Sequence, residues 1–154
     1  MMEAQEYQTI LVGTDGSDQA REAFEKALAV AKRNNSRVIV AHIIENRLYG
    51  NMGYTLTTSE LIDVETARSK EMLEEYVAFA KKQGIDNVES VLTFGSPKVL
   101  MAEELPEKYH VDLIMVGQSG LNAVERFMIG SVSDHVIRHA PCDVLIVRPK
   151  EENE

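Results

Sequence analysis

The feature that most constrains the fold is an alternation of short apolar runs with longer helical patterns. Most of the runs are almost continuously apolar, which is typical of strands buried on both faces of a parallel sheet covered by helices. Strands that alternate with helices, joined by right-handed connections, form such a sheet. The sequence therefore predicts an α/β fold, a three-layer α/β/α sandwich around a five-stranded parallel sheet, in the flavodoxin-like strand order or a close relative of it. The predicted strands are Thr9–Val12, Arg37–Ile44, Glu89–Phe94, Val111–Val116 and Asp143–Val147.

Capping residues and prolines mark the ends of the intervening helices. Pro106 is expected to end or kink the third helix, because proline removes a helical N–H and its ring meets the preceding turn. The predicted inner face of the last helix is Val132, Val136, Ile137 and Ala140. The predicted helix starts are Ser17, Thr57 with Glu60, Ser96 with Pro97, and Ser131 with Asp134.

Length and composition indicate one ordinary globular domain. The chain has 154 residues, of which 44% are hydrophobic and 27% charged, and we expect a core from about residue 7 to residue 149. The apolar runs are too short for a bilayer span, no charged-then-apolar leader opens the chain, and the single Cys142 excludes an internal disulfide. These features favour a cytoplasmic protein.

The charge balance limits the partners. Sixteen basic residues stand against 25 acidic ones, a formal net charge of −9. The long-range field of such a surface repels nucleic acid and anionic lipid, so neither is expected as a partner. A phosphate-bearing ligand would have to be held by local groups such as backbone amides, a helix dipole or a bridging divalent cation.

Three loops are expected at the carboxyl ends of the strands, where parallel α/β sheets bind ligands. Gly13–Asp18 follows the first strand and Gly117–Gly130 follows the fourth. The second of these loops contains an apolar insert, Leu121, Val124, Phe127, Met128 and Ile129. Asn46–Thr58, which contains Gly50 and Gly53, follows the second strand and is predicted to act as a lid.

The stretch from Gly117 to Ser133 has the composition of an anion site. Glycines allow a backbone to approach a ligand closely, and the first turn of a helix offers free N–H groups at the positive end of its dipole. The hydroxyls of Ser131 and Ser133 are expected to add two further donors to the ligand. The alternative reading is that Gly120 only turns a loop and Ser131 only caps a helix. Glycine and serine alone do not decide between the two.

The spacing Gly117-x2-Gly120-x9-Gly130-Ser131 resembles the nucleotide-binding motif of the universal stress protein family, in its ATP-binding branch. The resemblance extends over most of the chain, including Thr9–Ser17, Val38–Ile44 and Gly130–Pro149. It implies a Rossmann-like fold of the adenine nucleotide alpha hydrolase type. It also implies an adenine nucleotide ligand, ATP or possibly ADP or AMP, with Mg or Mn.

The resemblance assigns expected roles to individual residues. Asp15 would lie near the ribose or phosphates, directly or through the metal, and the backbone of Ile43 would meet the adenine edge. Gly117 and Gly120 would border the ribose and phosphates. The remaining expected site residues are Gly13 and Thr14 beside the adenine pocket, and Gly130, Ser131, Val132 and Ser133 around the phosphate chain. A homodimer through the apolar last strand, Val144–Val147, is also implied.

Three interpretations of the function of the chain remain open. The first is a nucleotide-dependent switch or partner-binding module in a stress response. The second is an enzyme, a slow Mg-dependent ATPase or phosphotransferase, although no general base and no phosphate-loop lysine is evident. The third is a nucleotide-free interaction protein. The pair His135 and His139 is assigned to surface or packing roles, since no third metal ligand accompanies it.

Overall fold

The computed structural model describes residues 6–45, 58–119 and 128–150. Its five strands form one parallel sheet in the order β3-β2-β1-β4-β5, with helices on both faces. The strands are β1 (Thr9–Gly13), β2 (Arg37–Ile44), β3 (Val88–Phe94), β4 (Leu113–Gly117) and β5 (Asp143–Val147). The helices are α1 (Asp18–Asn34), α2 (Thr58–Lys82), α3 (Pro97–Val99), α4 (Leu105–Tyr109) and α5 (Ser131–His139), with a π-helical turn, Leu100–Glu104, between α3 and α4.

The three-layer α/β/α prediction is confirmed, but the strand order is not the flavodoxin-like one. A flavodoxin-like sheet places the second strand at one edge, whereas here β3 is the edge strand and β2 lies between β3 and β1. The chain moves outward from β1 to β3 and then crosses to β4 on the other side of β1. The switch point therefore falls between β1 and β4, which is the Rossmann arrangement.

Two apolar clusters fill the spaces on either side of the sheet. The first joins β1, β2 and β4 to α1 and α2, with Phe24, Leu73 and Tyr76 buried at its centre. The second joins the opposite face of the same strands to the π-helical turn, α4 and α5, with Met101 and Val136 buried there. Burial of the strands on both faces explains why most of the strand sequences are nearly continuous in apolar residues.

The predicted strand bounds agree closely with the structure except at β4. The prediction began that strand at Val111, and the structure begins it at Leu113. The backbone N–H of Val111 bonds to the Pro106 carbonyl, and that of Asp112 to the Thr9 carbonyl. The two residues connect α4 to the sheet, although Val111 is as buried as a strand residue.

The predicted starts of the helices after β1 and β3 are confirmed. Ser17 precedes α1 and its side chain accepts a hydrogen bond from the Ala20 N–H at 3.1 Å. Ser96 precedes α3 and accepts from the Val99 N–H at 3.5 Å. Thr57 lies outside the described residues.

Pro106 does not end its helix. The helical path continues through it to Tyr109, and the turn before it is π-helical, with the Leu105 N–H bonded to the Leu100 carbonyl. A widened turn lets a proline follow because the usual acceptor four residues back is no longer needed. No helix in the described ranges is long and apolar enough to cross a membrane.

The last helix begins at Ser131 as predicted, and of its predicted inner face Val132, Val136 and Ala140 pack into the second apolar cluster while Ile137 does not. Gly130, with φ −63° and ψ 157°, is the residue that precedes α5, and Ser131 is its first helical residue. Val136 is completely buried, but Ile137 is 46% exposed. The buried stripe of α5 passes through Ser133 and Val136, and Ile137 lies at its margin.

Candidate functional site

The candidate site is the edge of the sheet where β1 and β4 end side by side. The turn Thr14–Ser17 follows β1, and Gly117 ends β4. The backbone comes back to this edge at Gly130, whose N–H donates to the Gln118 carbonyl at 2.7 Å. The switch point, the turn after β1 and the start of α5 therefore meet, as predicted for the loops after the first and fourth strands.

The start of α5 has amides without an acceptor inside the helix. The first N–H groups of any α-helix have no acceptor within the helix. Here Gln118 takes the Gly130 N–H, so the helix itself leaves Ser131, Val132 and Ser133 without acceptors for theirs. Ser131 is exposed and Val132 half-buried. This group, at the positive end of the helix dipole, has the chemistry of an anion site.

Ser133 contributes differently from the prediction that its hydroxyl is a donor to the ligand. The side chain is buried, and its hydroxyl donates to the Gly117 carbonyl at 2.6 Å. This bond ties the first turn of α5 to the end of β4. The hydroxyl proton is committed within the protein, while the Ser133 amide is not taken by the helix.

Arg138 is a basic side chain in the last turn of α5. Its Nε donates to the Asp134 carboxylate at 3.1 Å, an exposed pair one turn apart on α5. The pair offsets the charge of the acidic residue in the first turn.

Thr14 is the centre of a hydrogen-bonded group after β1. It is buried; its N–H donates to the Ala41 carbonyl at 2.8 Å, and its own carbonyl lies 2.7 Å from His42 Nδ1. Its hydroxyl donates to the Tyr76 hydroxyl at 3.0 Å and accepts from the Gly16 N–H at 3.2 Å. Since a carbonyl only accepts, His42 must be protonated at Nδ1. Thr14 therefore holds the turn in place, with its polar groups bonded inside the protein.

Asp15 is exposed at the tip of the same turn. Its Oδ1 accepts from the Ser17 N–H at 2.9 Å, a local turn motif that leads into α1. Among the described residues there is no group of three or more His, Cys, Asp or Glu side chains that could hold a metal ion. A cation at Asp15 would thus need phosphate oxygens or water to complete its ligands.

Gly13 and Ile43 lie on the face that carries the π-helical turn. A Cβ at Gly13 would stand 3.0 Å from Met101 Cε, so the end of the Met101 side chain would have to shift to admit a side chain here. Ile43 is half-buried near the end of β2, in register with Thr93 of β3. Its backbone lies one strand away from β1, at the same edge of the sheet as Thr14.

Gly117 lies against the first turn of α1. A Cβ there would meet the Gln19 and Ser119 carbonyl oxygens, each at 3.4 Å. Ser119, which had no predicted role, bonds to Gln19 Oε1 through its N–H at 3.2 Å and through its hydroxyl at 3.0 Å. The end of β4 is thereby fastened to α1.

Two predicted elements of the site fall outside the described residues. One is Gly120 with most of the apolar insert that follows it, and the other is nearly all of the predicted lid 46–58. Met128 and Ile129, the described end of the insert, are 60% and 48% exposed.

Sequence reasoning missed the residues that brace the site from elsewhere in the chain. Tyr76 belongs to the apolar face of α2 and His42 to an apolar strand, so each read as a packing residue. Gln118, which is buried, donates from Nε2 to the Met128 carbonyl at 3.2 Å. The one sequence feature that pointed to Gln118 was that this polar residue follows directly on the buried-strand pattern of β4.

Two other features of the described residues are separate from this edge. A groove of about 260 Å³ lies between the later halves of α1 and α2, with Leu28, Phe79 and Ile85 in its wall. His135 and His139 stack with ring centroids 4.2 Å apart on α5. The groove is mostly apolar and lacks the free amides of the α5 start, so we place the candidate site at the strand ends.

Known proteins share this fold and much of this sequence. A protein of Staphylococcus haemolyticus that carries the name of the universal stress proteins is 46% identical over 145 residues, which is 94% of this chain and 87% of that protein. The universal stress protein UspA from Lactobacillus plantarum is 28% identical with a TM-score of 0.82, covering 94% of this chain and 100% of that one. A universal stress protein solved in complex with cAMP is 30% identical with a TM-score of 0.71, covering 94% and 98%.

The family model described as "Universal stress protein family" matches residues 6–148, which include every described strand and helix. This range includes the motif glycines, all five strands and the start of α5. The chain belongs to the universal stress protein family.

Proposed function

We propose that this protein binds an adenine nucleotide, with ATP as the first candidate, and acts as a nucleotide-dependent switch or partner-binding module in the cytoplasm during stress. The observation that carries the proposal is the start of α5, where the amides of Ser131, Val132 and Ser133 have no acceptor in the helix beside the end of β4. A polyphosphate is the ligand that such a group of donors favours. The complex of a similar family member with cAMP supports an adenine nucleotide.

The local chemistry compensates for the unfavourable global charge. A net charge of −9 gives no long-range attraction for a nucleotide. Backbone amides at a helix start need no basic side chain, and a divalent cation at Asp15 would offset the remaining phosphate charge. We therefore propose Mg or Mn as the accompanying ion, with Asp15 as its protein ligand and phosphate oxygens as the others.

Each predicted site residue then has a proposed role. Gly130 to Ser133 would hold the phosphates, Gly117 and Gly120 would border the ribose, and Ile43 would meet the adenine through its backbone. Thr14 would act by holding the turn of Asp15, because its own polar groups are already bonded. Gly13 would form the wall beside Met101.

We propose that the switch operates in a homodimer joined through β5. This strand is at the edge of the sheet, and its central residues Val144, Leu145 and Ile146 are only half-buried in the single chain. An apolar edge strand with unpaired backbone groups is stabilised by pairing with a second copy. Sedimentation of the purified chain at several concentrations would test the association.

The direct test is calorimetric titration with ATP, ADP, AMP and cAMP, each with and without Mg, together with native mass spectrometry for bound nucleotide. We expect ATP with Mg to bind and Gly130→Val to abolish binding. The backbone of Gly130, with φ −63°, is one that any residue adopts, so valine there blocks the site without straining the chain. Gly117→Val should act in the same way by crowding Gln19 and Ser119.

A matched control is Ala29→Val, an exposed position on α1 at the groove between α1 and α2. It adds the same kind of bulk without touching the strand ends and should bind ATP normally. Normal binding by both glycine variants, or the absence of any nucleotide signal with the unaltered protein, would show that the α5 start is not a nucleotide site.

A further inference from the structure

The turn that carries Asp15 is connected to α2 by one buried hydrogen bond. The Thr14 hydroxyl donates to the Tyr76 hydroxyl at 3.0 Å, and the two residues are 62 positions apart in the chain. The same Thr14 oxygen accepts from the Gly16 N–H at 3.2 Å. The Thr14 hydroxyl thus links the backbone of the turn to α2, a helix that follows β2 in the chain.

Tyr76 is held firmly on its own side of this bond. Its side chain is buried, with 5% of the residue exposed. The Phe24 ring meets its ring edge-on at a centroid distance of 4.7 Å, and the Arg21 guanidinium carbon lies 5.2 Å from its centroid. Because these contacts fix the ring, they also fix where the hydroxyl stands.

α2 touches the turn at a second point one helical turn earlier. Met72 Sδ lies 3.5 Å from the position that a Cβ on Gly16 would occupy. Gly16 has φ +83°, a conformation that glycine adopts without strain, and Asp15 and Ser17 on either side of it are bonded to each other. Met72 and Tyr76 therefore form one surface of α2 on which the turn rests.

We propose that Tyr76 is a positioning residue of the nucleotide site, which acts through Thr14 on the turn of Asp15 and reports nucleotide occupancy to α2. The inference rests on the proposed function and adds to it a direction in which the signal leaves the site. A bond that aligns the turn for the ligand is strengthened when the ligand holds that turn, since coupling between two sites is reciprocal. Nucleotide binding should then stabilise the middle of α2, which makes no proposed contact with the nucleotide.

The test begins with Tyr76→Phe, which removes one hydroxyl and keeps the ring. We expect the Kd for ATP to rise by about fivefold to tenfold, the size of one lost buried hydrogen bond. In the unaltered protein, ATP should slow amide hydrogen exchange in residues 72–80 of α2. In Tyr76→Phe, that protection should be lost even at saturating ATP.

Tyr7→Phe is the matched control. It also removes a tyrosine hydroxyl that is hydrogen-bonded, in this case to Asp143 Oδ2 at 2.9 Å, at the opposite edge of the sheet. Its effect on the midpoint of urea unfolding measures the general cost of such a loss. Its ATP affinity and its ATP-dependent protection of α2 should equal those of the unaltered protein.

Thr14 variants separate the bond from other effects of Tyr76. Thr14→Ser keeps the hydroxyl and should retain most of the affinity, whereas Thr14→Val removes it and should weaken binding at least as much as Tyr76→Phe. The double variant Thr14→Val with Tyr76→Phe should bind ATP as Thr14→Val alone does, because the second change has no bond left to break.

The outcomes distinguish this inference from the function on which it rests. If the unaltered protein binds no nucleotide, both are wrong. If it binds ATP but Tyr76→Phe shows the same affinity and the same protection of α2, the positioning role is wrong and the nucleotide site stands. Additive losses in the double variant would also overturn it.

Discussion

The two ends of the strands differ in how their polar backbone groups are satisfied; the side of the amino ends is called the closed edge and that of the carboxyl ends the open edge. At the amino ends of the strands, side chains from neighbouring elements cover the backbone. At the carboxyl ends, the start of α5 has amides without an acceptor inside the helix. If the proposed nucleotide binds there, the same five strands carry one closed edge and one open edge that takes the ligand.

The closed edge depends on carboxylates and long polar side chains. Asp112 accepts from the N–H of Gln8 at 2.8 Å and of Thr9 at 2.9 Å, which fixes the entry to β1. Arg37 donates to the Tyr109 carbonyl at 2.7 Å and pairs with Glu89 at 3.4 Å. These side chains provide acceptors and donors that water would otherwise supply.

At the open edge, side chains hold the backbone from behind and leave its outer groups exposed. Thr14 and Ser133 direct their hydroxyls inward, to Tyr76 and to Gly117. The amides of the α5 start point along the helix axis, away from their own helix. The comparison shows that both edges are braced by side chains, the closed edge from outside and the open edge from the interior.

The largest expected effect would come from placing a negative charge at the start of α5. Ser131→Asp should weaken ATP binding by at least about 100-fold, because a carboxylate among the phosphate-binding amides repels phosphate. A carboxylate in the first turn also favours the helix dipole, so the unfolding midpoint should stay the same or rise. Titration calorimetry and urea unfolding on one sample give both values.

Ser131→Asn is the neutral control for that variant and should lose much less affinity. Equal ATP binding by Ser131→Asp and the unaltered protein would mean that the α5 start is not where phosphate binds.

The second prediction concerns a variant that removes a hydrogen-bond acceptor from the closed edge. Asp112→Ala should lower the free energy of unfolding by about 2 kcal/mol, since two amides lose a charged acceptor. ATP affinity should not change, because the strands keep their carboxyl ends in place. Urea unfolding monitored by circular dichroism measures the first effect, and a loss of affinity equal to the loss of stability would contradict the independence of the two edges.

The third prediction concerns the metal ion proposed for the open edge. Asp15→Asn keeps an oxygen that can accept from the Ser17 N–H, so the turn should persist while the charge is lost. ATP affinity in Mg should fall about tenfold, or about 1.4 kcal/mol, and affinity without Mg should be unchanged or slightly higher. A loss of the same size with and without Mg would instead indicate a hydrogen bond from Asp15 to the ligand.

The smallest effect is an alkaline loss of stability at the closed edge. Partial burial, with smaller contributions from Asp112 and Asp143, raises the pKa of the half-buried Cys142 thiol from 9.0 to about 11. A hydrogen bond to Asp143 also raises the pKa of Tyr7 above its ordinary value of 10.0. The folded protein therefore retains these protons to higher pH than the unfolded chain does.

Stability from both groups is complete below their unfolded pKa values and is lost as pH rises through the folded ones. For Cys142 this window lies between pH 9 and about 11. Cys142→Ala should make the decline in unfolding midpoint across that window shallower. An identical decline in the variant would show that Cys142 does not contribute to the alkaline loss of stability.

Most of the fold could be predicted because strands buried on both faces leave a direct mark on the sequence. The run Val38–Ile44 gave β2 at its observed bounds, and Ser17 gave the start of α1. The order of strands has no such mark, since the side of β1 on which β4 docks depends on long-range packing. Pro106 was expected to end or kink its helix, and the helix does not end there because a π-helical turn, which has no clear local signature, accommodates the missing N–H.

The local features of the candidate site could be read from the sequence, whereas the contacts that brace it could not. Gly117, Gly130 and Asp15 stand at strand ends or helix starts, where glycine and carboxylates have local meaning. Tyr76 and Gln118 bond to groups that the fold brings to them, and each looks like an ordinary core position in sequence. Ser133 was expected to offer its hydroxyl to phosphate, which required knowing that the Gly117 carbonyl would lie 2.6 Å away.

The two attachments made by Gln118 depend on different parts of the residue. Its carbonyl takes the Gly130 N–H and its side chain holds the Met128 carbonyl. Because the first bond is made by the backbone, it survives any substitution that keeps the backbone in place, whereas the second is lost with the amide group. One residue thus gives the approach to α5 an attachment that mutation cannot delete and another that it can.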